Sequence, residues 1–386
     1  MNRTQATGLA RKYMQDFART TGLDPPGNQP RRYLWTDAFA VCNYLGLFKE
    51  SGDLSYRELA VRLIDQVHHV LGRYRDDDLR DGWISGLLPE EGELHPTIGG
   101  LRIGKSLPER QYEDPYDEHQ EWDRDGQYFH YLTQWMHALN QAGMITHNPE
   151  YTTWAIELAR TAHARFTYRA GGRTRMFWKM STDLSRPLVS SMGQHDPLDG
   201  LITYAELHLA AGKEMGQQVL EPEMADMEGM VRTMPLATED PLGIGGLLTC
   251  SARLARLTKW GGNPYPVLLE SVPAAALSSL KSFTRAHCLD LPARSRLAFR
   301  ELGLSIGLAG IESLWAFIEK NSLLFETQKS FMYSVQALQD YVPLKESIEM
   351  FWLEEENQRS TTWKEYKEIN MVMLAASLTP DGFLDI

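Results

Sequence analysis

Hydrophobic and polar positions along this chain alternate between two kinds of helical stretch. In one kind, apolar residues recur at spacings of three and four and leave a charged face, as in a helix wet on one side. Residues 4–20, 55–74, 149–168, 217–234, 264–287 and 338–357 read this way. The first stops before Gly22 and the turn run DPPGNQP, and Ser55 with Glu58 stands at capping-box spacing. In the other kind hardly a charge survives and apolar side chains point all round: 36–47, 127–142, 198–211, 242–257, 296–318 and 366–377. Such helices have to be sheathed by other protein. Six of each in strict alternation predict an all-α (α/α)6 toroid, a single domain over residues 1–386 with a long irregular insert at about 76–125. An α-solenoid also alternates helix pairs, but the charged and aromatic inserts here all precede sheathed helices, and a toroid would gather them at one rim. Residues 173–187 read as a strand or hairpin.

The second sheathed helix carries the most chemistry. Its mouth, DEHQEWDRDG (117–126), is dense in charge, and behind it Gln127, His130, Gln134, His137 and Gln141 fall at spacings of three and four. They share one stripe able to line an interior cavity, with Gln127 and His130 nearest the rim. Asp37, Asp123, Asp125, Asp196 and Asp199 all stand at mouths of sheathed helices. Two of five meeting across a rim would supply the carboxyl pair that hydrolysis of a glycosidic bond needs. A carboxylate at a helix N-terminus is suited to act as base or nucleophile, whereas the acid needs apolar surroundings or a like-charged neighbour. Asp125, with Trp122 and Asp123 close before it, fits the acid, and Asp196 or Asp37 the base. Any one Asp before a helix also serves simply as an N-cap, and Asp123-Arg124-Asp125 also reads as an ion-pair knot.

At this point the chain resembles the six-hairpin glycosidase superfamily, through its alternation and through WTDAFAV, EWDRDGQYFHYLTQW and GQHDPLDGLITY before successive sheathed helices. That group includes glycoside hydrolases and the N-acylglucosamine 2-epimerase-like sugar epimerases. The resemblance implies a carbohydrate-active enzyme. In the epimerase-like group it implies a histidine with a nearby acid before one inner helix, which His195 with Asp199 matches. It also implies a second histidine near the last inner helices, and no histidine follows His287. Hydrolysis of a short oligosaccharide or glycosylated small molecule is the leading expectation. Epimerisation with His195 and His130 as acid–base groups is the alternative, and a non-catalytic binding scaffold the third reading. Trp35, Trp83, Trp122 and Trp178 are candidate sugar platforms, although core packing uses the same rings. His95, Arg102, Gln127, His130 and Arg186 complete the expected substrate contacts, with Lys179 similar to Arg186. The stretch GGLRIGK (99–105) lacks the spacing of a nucleotide loop and reads as an ordered lid whose Arg102 or Lys105 meets an anionic substrate group.

Composition narrows the partners. The net charge of −12 argues against nucleic acid or an anionic membrane surface. The opening MNRTQATGLARKYMQDF lacks the apolar core of a secretory signal, and no run of about 18 apolar residues is expected to cross a bilayer, so the reading is cytoplasmic. Cys42, Cys250 and Cys288 are isolated and read as small buried hydrophobes; no metal and no cofactor is expected. The oligomeric state, the sugar and the stereochemical course stay open.

Overall fold

The computed structural model describes residues 1–27, 29–215, 218–261 and 264–384. Helices dominate, as expected, and buried helices alternate with one-sided ones in the order an (α/α)6 toroid calls for. Where the sequence reads as one domain, contacts group the chain into two compact units: Ala18–Met234, and Met1–Phe17 with Pro235–Ile386.

In the Ala18–Met234 unit the sheathed helices are Leu34–Ser51, Phe129–Thr146 and Asp196–Met215. Leu34–Ser51 is buried on every side, from Leu34 through Leu45 without a break. Leu54–Leu71, by contrast, buries Tyr56, Ala60, Leu63, Ile64, Val67 and Leu71, a single stripe at spacings of three and four. Asp53 caps it, accepting the amide of Ser55, so the cap lies two residues before the predicted one. Pro149–Phe166 is the next one-sided helix, started by Pro149 behind an Asn148 cap. It ends two residues early, because Thr167–Ala170 turns outward and pairs antiparallel with Arg173–Met176. Gly171 and Gly172, both at positive φ, make that two-residue turn. Within the stretch 173–187 read as a strand or hairpin, Arg173–Met176 is thus one arm of that hairpin, and Lys179–Met180 pairs antiparallel with Pro187–Val189 in a second. A further one-sided helix, expected over 217–234, appears as Glu221–Val231; Gln217 itself lies outside the described residues.

The insert at 76–125 is ordered by its own polar clamps. Arg80 pairs with Asp78 (2.9 Å), Glu109 (2.7 Å) and Asp183 (2.9 Å), and Arg110 with Glu121 (2.9 Å). Its two short helices are Pro89–Leu94 and Glu118–Asp123.

In the other unit the sheathed helices are Pro241–Gly261, Ala298–Lys320 and Lys367–Leu378. The first two cross so closely that a Cβ on Gly245 would collide with the Gly303 backbone, and one on Gly307 with Gly245. The glycines of LGIGG and LGLSIGLAG are there for this approach. Buried Glu301 accepts a two-pronged pair from Arg296 (2.8 and 2.6 Å) and the Trp352 indole N–H (2.8 Å). Ala298–Lys320 corrects one expectation, since by length and composition it could cross a membrane. Here its most apolar window is 72% buried, as the core helix of this unit. The single helix expected over 338–357 is found as Leu344–Leu353 and the short Glu355–Gln358, after a separate helix Lys329–Gln339 that stops before Pro343; Pro343 has no N–H to continue a helix and stands at the start of the next. Cys42 and Cys250 are buried as expected; Cys288 is only half-buried, in a one-turn 3-10 helix.

Candidate active site

Two helix mouths of the Ala18–Met234 unit converge on one pair of side chains. Gly126, at φ +139, lets the chain pass where a Cβ would press on the Met180 carbonyl. Gln127 and Tyr128 then pair with Met180 and Lys179 as a short antiparallel ladder, and the Phe129–Thr146 helix begins at once. This ladder sets the Tyr128 ring against Trp178, centroids 5.2 Å apart, and stacks the His130 ring nearly parallel to Trp178 at 6.4 Å and 14°. Asp196 opens the Asp196–Met215 helix, and at Gly193 its carboxyl fills the volume a Cβ would need. His130 Nδ1 and Asp196 Oδ1 lie 3.6 Å apart.

Neither group is otherwise satisfied. His130 Nδ1 and Asp196 Oδ2 are buried and have no hydrogen-bond partner among the described residues. A buried polar atom left so costs free energy, and native structures hold few of them. The His130 side chain is nevertheless 29% exposed, so the pair borders open space. Burial pushes the imidazole down to about 4. Burial, reinforced by the charge of neighbouring Asp199, holds the Asp196 carboxyl well above the usual carboxylate range. The helix N-terminus pulls the other way, but that effect is typically 0.3–1 kcal/mol, less than the several pH units that full burial can impose. Near pH 7 the imidazole is therefore neutral, beside a carboxyl that keeps its proton to higher pH than an ordinary carboxylate does. The conditions expected of an acid are met at Asp196, the residue expected as a base.

Asp125 sits differently from its expected role. It is fully buried, its Oδ2 takes the Arg102 guanidinium at 2.6 Å, and its Oδ1 accepts the amides of Gly104 (3.0 Å) and Lys105 (3.4 Å). Arg102 also donates to the carbonyls of Arg73 and Val70, so both side chains are ties holding the insert. Gln127 is the same kind of tie, donating to the Gly99 and Thr182 carbonyls and accepting the Leu101 amide. A Cβ on Gly100 would collide with that amide. Asp37 accepts the Tyr33 amide and pairs with buried Arg32 at 3.3 Å; burial pushes it up to about 6 against both. Asp123 is exposed and Asp199 half-buried, one turn into the Asp196–Met215 helix. Half-buried His195 holds that turn through its carbonyl, which accepts the Asp199 amide. His95 pairs with Glu157 at 2.7 Å, and Trp83 is buried under Arg73 and His69, so both are fixed in packing roles. Arg186 donates to the Arg110 carbonyl, and Lys179 is fully buried against Glu121 (2.9 Å). Of the expected tryptophans, Trp178 and half-exposed Trp122 meet edge-to-face at 4.9 Å beside His130. Trp35 packs on Phe39, with Tyr131 6.5 Å away.

Sequence reading passed over Tyr33, Tyr128 and Tyr131 as wall members. Tyr131 packs edge-on against His130 at 4.8 Å and shares a 2.6 Å hydrogen bond between hydroxyls with Tyr33. The available signal was position, since each tyrosine stands within a few residues of a sheathed helix's start. Among the described residues no three metal-ligating side chains gather.

No family model and no curated protein matches the chain. Solved structures that it resembles include cellobiose 2-epimerase from Spirochaeta thermophila, at 13% identity and TM-score 0.48 over 90% of this chain and 86% of that one. Cellobiose 2-epimerase from Bacillus thermoamylovorans aligns at 9% identity and TM-score 0.46, covering 89% and 87%. A heparin-specific unsaturated glucuronyl hydrolase aligns at 14% identity and TM-score 0.33, covering 73% and 84%.

Proposed function

We propose that this chain is a carbohydrate-active enzyme whose acid–base pair is His130 and Asp196, and that the pair moves protons on a sugar, by epimerisation or isomerisation. The observation that carries this reading is the 3.6 Å approach of a half-buried imidazole and a buried carboxyl, whose buried Nδ1 and Oδ2 have no hydrogen-bond partner among the described residues. A neutral imidazole accepts the proton from a carbon beside the sugar carbonyl while the carboxylic acid donates to the carbonyl oxygen, giving an enediol. Return of a proton to the opposite face of that carbon, or to the neighbouring carbon, while the Asp196 carboxylate takes back the enediol O–H proton, re-forms a carbonyl and completes the reaction. In this reading Trp178, Tyr128 and Tyr131 form the wall on which a sugar ring lies. The expected hydrolysis remains the second reading, favoured by one observation: Asp199 stands near enough to Asp196 to raise it, offering a second carboxylate.

The test is turnover of a panel of free sugars, disaccharides and glycosides in deuterated water. Proton transfer at carbon puts deuterium into a C–H position without new reducing ends, whereas hydrolysis releases reducing ends. Asp196→Asn and His130→Asn are each expected to lower kcat about 10²- to 10⁴-fold. Release of reducing ends without exchange selects the second reading. A chain silent on the whole panel, or variants as active as the parent, sinks both.

A further inference from the structure

Around the candidate site, basic side chains are almost all spent. Arg32 is held by Asp37, Arg75 by Asp77, Arg102 by Asp125, Arg110 by Glu121, Arg124 by Asp114 and Lys179 by Glu121. Lys105 is the exception. Its backbone is fixed at both ends, the amide donating to Asp125 and the carbonyl accepting from Arg75, but its ammonium has no ion pair or hydrogen bond among the described residues. The ammonium lies 5.5 Å from the centre of the Tyr33 ring. Tyr33 contacts Tyr131, ring centroids 5.6 Å apart, and Tyr131 contacts His130 at 4.8 Å. The free cation therefore stands two rings away from the acid–base pair, at the far end of the aromatic wall.

A half-buried ammonium over one phenol ring is poorly compensated. Burial pulls Lys105 below the usual lysine range, and the charges of Asp123 and Asp125 hold it up. Asp125 is already committed to Arg102 and two amides, and Asp123 is exposed. An anionic oxygen group on a bound molecule would supply the partner the fold leaves out. The glycine before it, Gly104 at φ +90, runs so close to the Arg32 carbonyl that a Cβ would collide there, so the backbone carrying Lys105 is clamped. A fixed backbone under an unsatisfied cation is the arrangement expected of a residue that discriminates among ligands.

We infer that Lys105 selects for substrates bearing an anionic oxygen group, a sugar carboxylate or phosphate, whose negative charge meets the Lys105 ammonium beside Tyr33 while the sugar ring reaches His130. This deepens the proposed function and rests on it for the identity of the remainder of the ligand. Carboxylate and phosphate are separate arms of the test, since either chemistry would satisfy the ammonium.

The experiment uses matched sets: an aldose, its uronic acid and its terminal phosphate, with dissociation constants measured calorimetrically alongside KM and kcat. In the parent chain one anionic member should bind better than the neutral one. Lys105→Met should weaken that member about 10- to 100-fold, mostly in KM, and leave the neutral member unchanged. Lys105→Arg, retaining the charge, should restore most of the loss, which a merely structural role would not do. Equal weakening of neutral and anionic members, or no anionic preference in the parent, overturns the inference while leaving the acid–base reading intact. Anion-selective binding that Lys105→Met removes, without turnover of any sugar, upholds Lys105 and overturns the acid–base reading instead.

Discussion

At the scale of single residues, two buried aspartates that look alike in sequence separate by what their oxygens touch. Asp125 is tied to Arg102 at 2.6 Å and to two backbone amides, so Asp125→Asn strands a buried guanidinium. The expected cost is about 3–5 kcal/mol, read as a lower urea midpoint. Asp196→Asn should cost little or stabilise. Burial raises Asp196 in the folded chain, so its favourable contribution is complete below the unfolded carboxyl value of about 4 and disappears as pH rises through the folded one. Asparagine cannot ionise and escapes that loss, so the variant's advantage should grow toward alkaline pH. A stable Asp125→Asn beside a crippled fold for Asp196→Asn would reverse the assignment. The same two shifts set the pH profile of kcat/KM: a plateau bounded on the acid side near the His130 value of about 4 and on the alkaline side by Asp196. Asp199→Asn removes the like charge that helps raise Asp196, so the alkaline limb should move to lower pH; an unmoved limb would refute that coupling. Sequence reading brought Asp196, His130 and Trp178 onto the same short set of candidates. It could not show that Arg102, 23 residues before Asp125, would neutralise the expected acid, because no spacing rule links a loop arginine to a carboxylate in a later loop.

At the scale of elements, hydrophobic period located the helices well, because a sheathed helix and a one-sided one differ in every turn. What it missed were breaks made by local chemistry: Pro343 within an expected helix, and the Gly171–Gly172 turn that drew residues 167–170 out of another. The insert was legible as ordered but not in its clamps. One clamp, His69, joins the Leu54–Leu71 helix to Pro89–Leu94, meeting Asp65 at 3.3 Å and Glu93 at 2.9 Å. The Asp65 hydrogen bond first, then the smaller Glu93 contribution, raise the imidazole to about 9, against burial. A raised value means the clamp's contribution is complete below about 6.5, the unfolded histidine value, and fades as pH rises through about 9. An NMR titration of the His69 ring should show that displaced midpoint. Asp65→Asn should bring it down further than Glu93→Gln, and a midpoint near 6.5 in the parent would deny the clamp altogether.

At the scale of the whole molecule, the chain's beginning belongs with its end. Ala6, Ala10, Met14 and Phe17 form one buried stripe on the first helix, at spacings a sequence reader sees at once. Their unit, however, is completed more than 200 residues later, by Pro235–Ile386. Tyr13 accepts from Gln358 at 2.8 Å, and the terminal amine pairs with Glu346 at 2.9 Å. Period reveals that a face must be covered and is silent about what covers it, so the segment that covers this stripe could not be read from spacing. Because the surface ion pair at Glu346 contributes little, the join should depend on the buried stripe. Phe17→Ala is expected to cost about 3–5 kcal/mol, whereas Glu346→Gln should leave the urea midpoint almost where it was. If the stripe secures the unit, limited proteolysis of Phe17→Ala, with fragments mapped by mass, should cut first within 235–384, although the substitution lies at residue 17. First cuts confined to 18–234 would mean that the opening helix is secured by something other than the segment it shares a unit with.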